Sequence, residues 1–399
     1  MVKYCFYYDE SNNVPKINEK YMQELGRNTF VGVFVGWEQR LSELIEKDFL
    51  NMESKWATKY NFVGEIKGKI ISKQKDFQYG IESFGLKQLE IYTDFFQFLN
   101  RHKLKIHISV ESQLTHIITQ ILSCLLYCKQ TPEDIYTLTK MIYLRQPQPL
   151  LTNILSGNYK NIKREILRFL NDSIREDMNN LELKKYEIGS CKQLVQKLNC
   201  FYNNTVSLIQ EWDYSKIINN FEIYCEDVKL PLRSIRLVID NHEQTFNSFK
   251  SVSNIIMQNG DSKDYVGIRI ADIISSMLNK AFTSLSQMYN YGFYNRSHLE
   301  PILPDAKFFK FTKNCNIKFE LYKLMTYFFI NEKIPYYFFM HDEYADDQWC
   351  FISLLHVFQS IESFDEFLQL SVDELQKRWR AFEVEFECQH LQRIVNASR

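Results

Sequence analysis

The sequence predicts an α/β protein, and three observations carry that reading. Short β-rich runs open the chain, a further β-rich run returns after residue 230, and helical periodicity fills the stretches between and beyond them. Residues 2–8 are apolar and aromatic and break at Asp9-Glu10-Ser11-Asn12-Asn13, as a strand ending in a polar turn does. Residues 29–37 (TFVGVFVGW) read as a second strand. Residues 38–56 place Leu41, Leu44, Ile45 and Phe49 at helical spacing. A short segment at 62–71 carries Glu65-Ile66-Lys67-Gly68. Residues 83–101 then resume helical periodicity through Leu86, Leu89, Phe95, Phe96 and Leu99, and residues 104–110 (LKIHISV) alternate like a strand.

From about 115 to 228 nearly every stretch is helix-like, interrupted at Lys129-Gln130-Thr131-Pro132 and Gln146-Pro147-Gln148-Pro149. The β signal returns at 234–240 (SIRLVID), ends in Asn241-His242-Glu243, and is followed by a helix over 266–282. The expected organisation is an α/β core split in sequence, 1–114 and 230–290, with a helical insertion at 115–229 and a helical C-terminal region at 291–399. Within that last region Ser371 and Glu374 have the spacing of a capping box.

Length and composition bound the function. The 399 residues are 45% hydrophobic and 24% charged, which suits a folded protein with a sizeable core. The net charge of −1 excludes a chain coated in basic residues, so any surface for nucleic acid must be local. The abundant Phe (31) and Tyr (24) suit helical cores first and base stacking second. Nine cysteines without paired spacing indicate neither a zinc ribbon nor a disulfide framework, and reduced thiols suit a cytoplasmic protein. No leader is expected at the N-terminus, and no apolar run approaches membrane-spanning length.

Three acids stand out by position. Asp9 closes the first strand, Asp240 closes the last, and Asp272 lies early in the following helix among Ile270, Ala271, Ile273 and Ile274. Hydrolysis of a phosphodiester with two metal ions, about 4 Å apart, needs several carboxylates converging from different elements, because hard cations prefer oxygen ligands. A carboxylate among apolar neighbours is costly unless it is paired, and a metal would offset that cost. Taken singly, acids like Asp9 and Asp240 are more often turn or cap residues, and Asp272 equally suits a buried ion pair with Arg269 or a Lys.

These residues resemble the domain of unknown function 3800, a prokaryotic family with a ribonuclease H-like fold. Tyr7-Tyr8-Asp9-Glu10-Ser11-Asn12 resembles its aromatic-x-D-E-S-G opening, and Glu65-Ile66-Lys67-Gly68 its E-x-K-G element. Asp261-Ser262-Lys263 followed by Gly267-Ile268-Arg269-Ile270-Ala271-Asp272 resembles a D-S-K turn leading into L-Q-x-A-D, and the strand ending at Asp240 resembles the family's penultimate strand. The likeness covers residues 1–112 and 230–285. Asn12 stands where Gly is usual and Arg269 where Gln is commoner.

The resemblance implies a ribonuclease H-like mixed sheet flanked by helices, and a nuclease dependent on Mg2+ or Mn2+ that acts on RNA, DNA or a hybrid, in a setting such as bacterial defence against phage. It carries over Asp9, Asp240 and Asp272 as metal ligands and Glu65 as a fourth. Period-two geometry sends Asp9 and Glu10 to opposite faces of a continuing strand, so only one enters the site directly, and Asp9 is the expected one. Lys67 adds positive charge, and Lys67, Lys69, Lys73 and Lys75 form a strip suited to a phosphate backbone or to plain solvation. His242 suits a proton shuttle or a structural role. Glu111, at the end of LKIHISV, reads as a surface acid. Of Lys160, Lys163, Arg164 and Arg168 most line one helical face, suited to RNA or DNA or to plain solvation, and Asp342, Glu343, Asp346 and Asp347 read as a solvated loop. The alternative class is a nuclease-like subunit that binds or scaffolds without cutting, docking a protein partner through the insertion or the C-terminal helices.

Overall fold

A computed structural model describes residues 2–11, 29–177, 181–201, 206, 214–294, 305–311, 313–330, 336–340 and 345–398. The first third runs β1 (Tyr4–Ser11), β2 (Thr29–Glu38), α1 (Ser42–Tyr60), a single helical turn α2 (Gly68–Ile71), β3 (Gln78–Ile81), α3 (Leu86–His102) and β4 (Lys105–Ser112). Five helices follow: α4 (Gln113–Leu125), α5 (Pro132–Arg145), α6 (Gln148–Ser156), α7 (Ile162–Asp177) and α8 (Leu181–Cys200). Then come α9 (Ser215–Asp227), β5 (Ile235–Asp240), α10 (Glu243–Val252), β6 (Ile256–Gly260) and α11 (Val266–Tyr294). The chain closes with α12 (Cys315–Ile330), β7 (Tyr336–Met340), α13 (Asp346–Gln359), α14 (Phe364–Gln369) and α15 (Val372–Ser398).

Six strands form one mixed sheet in the order β6-β5-β1-β2-β4-β7. β1 is antiparallel to β2 and β2 to β4, whereas β1–β5, β5–β6 and β4–β7 are parallel. The α/β expectation therefore holds, as a mixed sheet flanked by helices. Side-chain alternation divides the core in two. Cys5 and Tyr7 of β1 enter the main core with Val31, Val33 and Val35 of β2, under α11 and α3. Phe6 and Tyr8 enter a second core on the opposite face with Phe34, Phe221 and Phe249, under α9 and α10.

Four sequence readings need correction. The first strand continues through Asp9 and Glu10 to Ser11, because Asp9 still pairs with Val33 and Glu10 with Gly32, so the acids sit inside the pleat and not in a turn. The insertion is shorter than expected: α4 to α8 surround an apolar cluster of their own, from Leu114 to Leu198, whereas α9 turns its buried face to the sheet. The C-terminal region is neither all helical nor separate. β7 extends the sheet beside β4, and Phe308, Phe319, Phe358 and Trp379 belong to the main core. Finally, Asp346 and Asp347 begin α13 and are not a solvated loop: Asp347 is buried and Asp346 lies 3.3 Å from the Lys140 ammonium on α5. Asp342 and Glu343 lie outside the described residues. The capping box at Ser371 forms as expected, with reciprocal bonds between Ser371 and Glu374. Among the described residues no helix is long and apolar enough to cross a membrane.

Candidate functional site

Asp9 and Asp272 come together because α11 lies directly against β1. A Cβ added at Gly267, at the start of α11, would stand 2.1 Å from Cδ2 of Tyr7, so only glycine permits this approach of helix to strand. The next two turns bury Ile268, Ile270, Ala271, Ile273 and Ile274 and leave Asp272 beside the end of β1. Burial first, and the negative charge of Asp272 next, hold the Asp9 carboxyl well above the usual carboxylate range; Asp240 and Glu10 add to the effect, and the N–H of Glu10, donating to Oδ1 at 2.7 Å, opposes it. Burial likewise raises Asp272, opposed by the Gly68 N–H and the charges of Lys67, Lys280 and Lys69. Asp240, on the neighbouring strand, is close enough to act on Asp9, and its Oδ1 accepts the N–H of Asn241 at 3.0 Å.

The 65–68 loop closes the site from the side of α1. Its Gly68 N–H donates to Asp272 Oδ2 at 2.6 Å, fixing one oxygen of that carboxylate. A Cβ at Gly68 would stand 2.4 Å from Ser276 Cβ, so glycine is required for the backbone to reach the helix. Glu65 accepts the Ser262 hydroxyl at 2.6 Å and lies 3.8 Å from the Lys67 ammonium. Lys280, two turns beyond Asp272, donates to Gly68 O at 3.0 Å and Ser276 Oγ at 2.7 Å, and burial lowers its ammonium to about 8 against the opposing charge of Asp272. Lys69, Lys73 and Lys75 are exposed alongside.

The remaining candidates fall on the other face of the sheet. Glu10 accepts the Tyr8 hydroxyl at 2.7 Å and the Thr245 hydroxyl at 3.3 Å, and burial pushes its carboxyl up to about 7 despite these bonds. His242 caps α10 by accepting the Thr245 N–H at Nδ1, 3.7 Å from Glu10. Both therefore stand apart from the Asp9–Asp272 pair, as alternation along β1 requires. Glu111 is buried and not a surface acid; its register partner Phe30 belongs to the second core, which puts it on that face as well. Arg164 and Arg168 are exposed on α7 and Lys160 in the turn before it, while Lys163 is half-buried and donates to the carbonyl of Phe201.

Two contributors carry no motif in the sequence: the backbone N–H of Gly68 and the Lys280 ammonium. The first leaves no side-chain signal, although the glycine itself was in view. Lys280 was legible as a position, eight residues after Asp272 and so on the same helical face. Among the described residues, no three His, Cys, Asp or Glu side chains gather into a ready set of metal ligands. Compared with known proteins, the chain matches no family model, no curated protein and no solved structure at a significant level.

Proposed function

We propose that the protein is a nuclease dependent on Mg2+ or Mn2+, with a ribonuclease H-like core that hydrolyses phosphodiester bonds of RNA, DNA or a hybrid. The observation that carries this reading is the Asp9–Asp272 pair: two half-buried carboxylates from different elements, with desolvation and the neighbouring negative charge of Asp272 the largest influences on Asp9. Carboxylates so placed are costly as anions, and a hard divalent cation offsets both the desolvation and the repulsion. Such an ion would be held by Asp9 and Asp272 as principal ligands, with Asp240 at the neighbouring strand end and Glu65 on the loop moving in to complete the set, since the described residues do not gather three ligands as they stand. The mixed sheet, in which β1 has an antiparallel neighbour on one side and a parallel one on the other, agrees with the ribonuclease H-like reading.

A bound divalent ion supplies Lewis acidity at the scissile phosphate and eases loss of a proton from the attacking water. The chain's own groups do the rest. Gly68 N–H keeps one oxygen of Asp272 turned toward the loop, leaving the other for the ion. Lys67 sets a positive charge beside the phosphate. Lys69, Lys73 and Lys75 hold the backbone to either side without reading sequence. Glu10 and His242 act at a distance, by fixing the end of β1 and the start of α10.

The test is incubation of the purified protein with labelled RNA, DNA and hybrid in Mg2+ or Mn2+, beside Asp9→Asn and Asp272→Asn. Cleavage by the wild type and loss of about 100-fold or more in each variant supports the reading. One observation favours a second reading, a nuclease-like subunit that binds without cutting: the net charge of −1, where a free-standing nuclease usually presents a clearer basic surface. Its signature is wild-type protein that binds nucleic acid or a protein partner and cleaves nothing.

A further inference from the structure

Glu53 lies on α1 within the main core, and its two carboxylate oxygens face two different elements. Oε1 accepts the Ile66 N–H at 3.1 Å, between Glu65 and Lys67 in the loop. Oε2 stands 3.5 Å from Nη2 of Arg269, three residues ahead of Asp272 on α11. Both side chains are nearly out of solvent, 11% and 7% exposed, and the Arg269 guanidinium lies over the Phe49 ring, 5.8 Å from its centroid. A single carboxylate thus ties the backbone of the loop to the helix that bears the acid. Two charges placed in a core lose their hydration, and apolar residues of similar volume often serve stability as well or better. Such a pair is weak evidence for stability and is suited to fixing the spacing between loop and helix. That spacing is the one across which Gly68 N–H reaches Asp272.

We propose that Glu53 and Arg269 are positioning residues that hold the 65–68 loop at one height over Asp272 and thereby set the affinity of the carboxylate site for a divalent cation. The second half of this statement rests on the metal reading above. Neither residue touches the site, and both act through the backbone of the loop and the axis of α11.

The experiment uses the full chain as wild type, Glu53→Gln, Arg269→Gln and the double variant, with two readouts: amide hydrogen exchange across 64–72, and Mn2+ binding by calorimetry. Glu53→Gln keeps an acceptor for Ile66 but leaves the Arg269 charge without its anion, and the double variant removes both charges. Expected in Glu53→Gln are exchange at 64–72 faster by about tenfold or more and Mn2+ affinity lower by about 10- to 100-fold, with protection of β1 and β5 unchanged. The double variant recovers most of both losses, the coupling expected of two residues acting as one device. A folded Glu53→Gln with unaltered exchange at 64–72 overturns the proposal, as does protection lost equally throughout the sheet. Wild-type protein that binds no Mn2+, beside a loosened loop in the variant, overturns the metal reading and upholds the positioning.

Discussion

At the scale of single residues, the two faces of β1 separate two chemistries that the sequence lists side by side. Asp9 and Glu10 both have carboxyls raised by burial, Asp9 well above the usual range and Glu10 from 4.5 to about 7. A raised folded-state value means that the folded chain holds its proton more tightly than the unfolded one. Such a group contributes stability that is present below its unfolded value and lost as pH rises through its folded one. For Glu10 the window runs from 4.5 to about 7, and the loss amounts to roughly 3 kcal/mol. Urea unfolding at pH 4.5 and pH 8 is expected to show a smaller fall in stability for Glu10→Gln than for wild type; equal falls would remove Glu10 from the account. For Asp9 the sign is the same: stability present below its unfolded value is lost as pH rises. Added Mg2+ or Mn2+ is expected to restore stability at pH 8 in wild type and to have little effect in Asp9→Asn or Asp272→Asn.

At the scale of elements, the site depends on how closely the loop and α11 approach. Gly68→Ala places a methyl 2.4 Å from Ser276 Cβ and so pushes the loop off the helix, breaking the bond to Asp272. Its expected effect is a fall in kcat of about 100-fold with a much smaller change in KM, since the bond orients a ligand and does not grip substrate. Steady-state kinetics reads the two apart. The strand and helix assignments around these elements were legible because their patterns are strong: TFVGVFVGW becomes β2, LKIHISV becomes β4, SIRLVID becomes β5 and the run from Val266 becomes α11. What escaped were elements too short or too polar for periodicity to register. β3 spans Gln78–Ile81, and β6 spans Ile256–Gly260 with exposed and half-buried positions along most of its length. α10 was hidden because its helix start is capped by a histidine and not by Ser, Thr, Asp or Asn. The candidate site was legible as a list of acids; the partition of Asp9 from Glu10 followed from alternation, but the pairing of Arg269 with Glu53, and not with Asp272, depended on a helix distant in sequence.

At the scale of the whole molecule, the expected four-part division gives way to a sheet with a core on each face and a helical cluster beside it. The C-terminal helices read as a separate region because local pattern carries no information on what a helix packs against. Trp379 on α15 makes the point: it is fully buried against Phe308 and Phe309, and its Nε1 donates to the Cys350 carbonyl at 3.0 Å. Trp379→Ala is expected to destabilise the whole fold by about 3–5 kcal/mol, read as one cooperative transition that includes the sheet; a transition confined to the C-terminal helices would show the region to be separate after all. With a net charge of −1, affinity for nucleic acid must come from local charge. Replacing Lys69, Lys73 and Lys75 by Ala is expected to weaken binding at low salt and to reduce the slope of log affinity against log salt by about two to three units, whatever the substrate sequence. An unchanged slope would place the polyanion elsewhere, for example along Arg164 and Arg168 of α7 and Lys160 just before it.

The claim on which the account turns is that Asp9 and Asp272 share one divalent cation. Anomalous scattering from crystals grown with Mn2+ measures this directly. The expected result is a manganese peak between the two carboxylates, within about 2.5 Å of an oxygen of each, and its absence from crystals of Asp272→Asn. A wild-type crystal at saturating Mn2+ with no peak there, or with peaks only at surface acids, contradicts it.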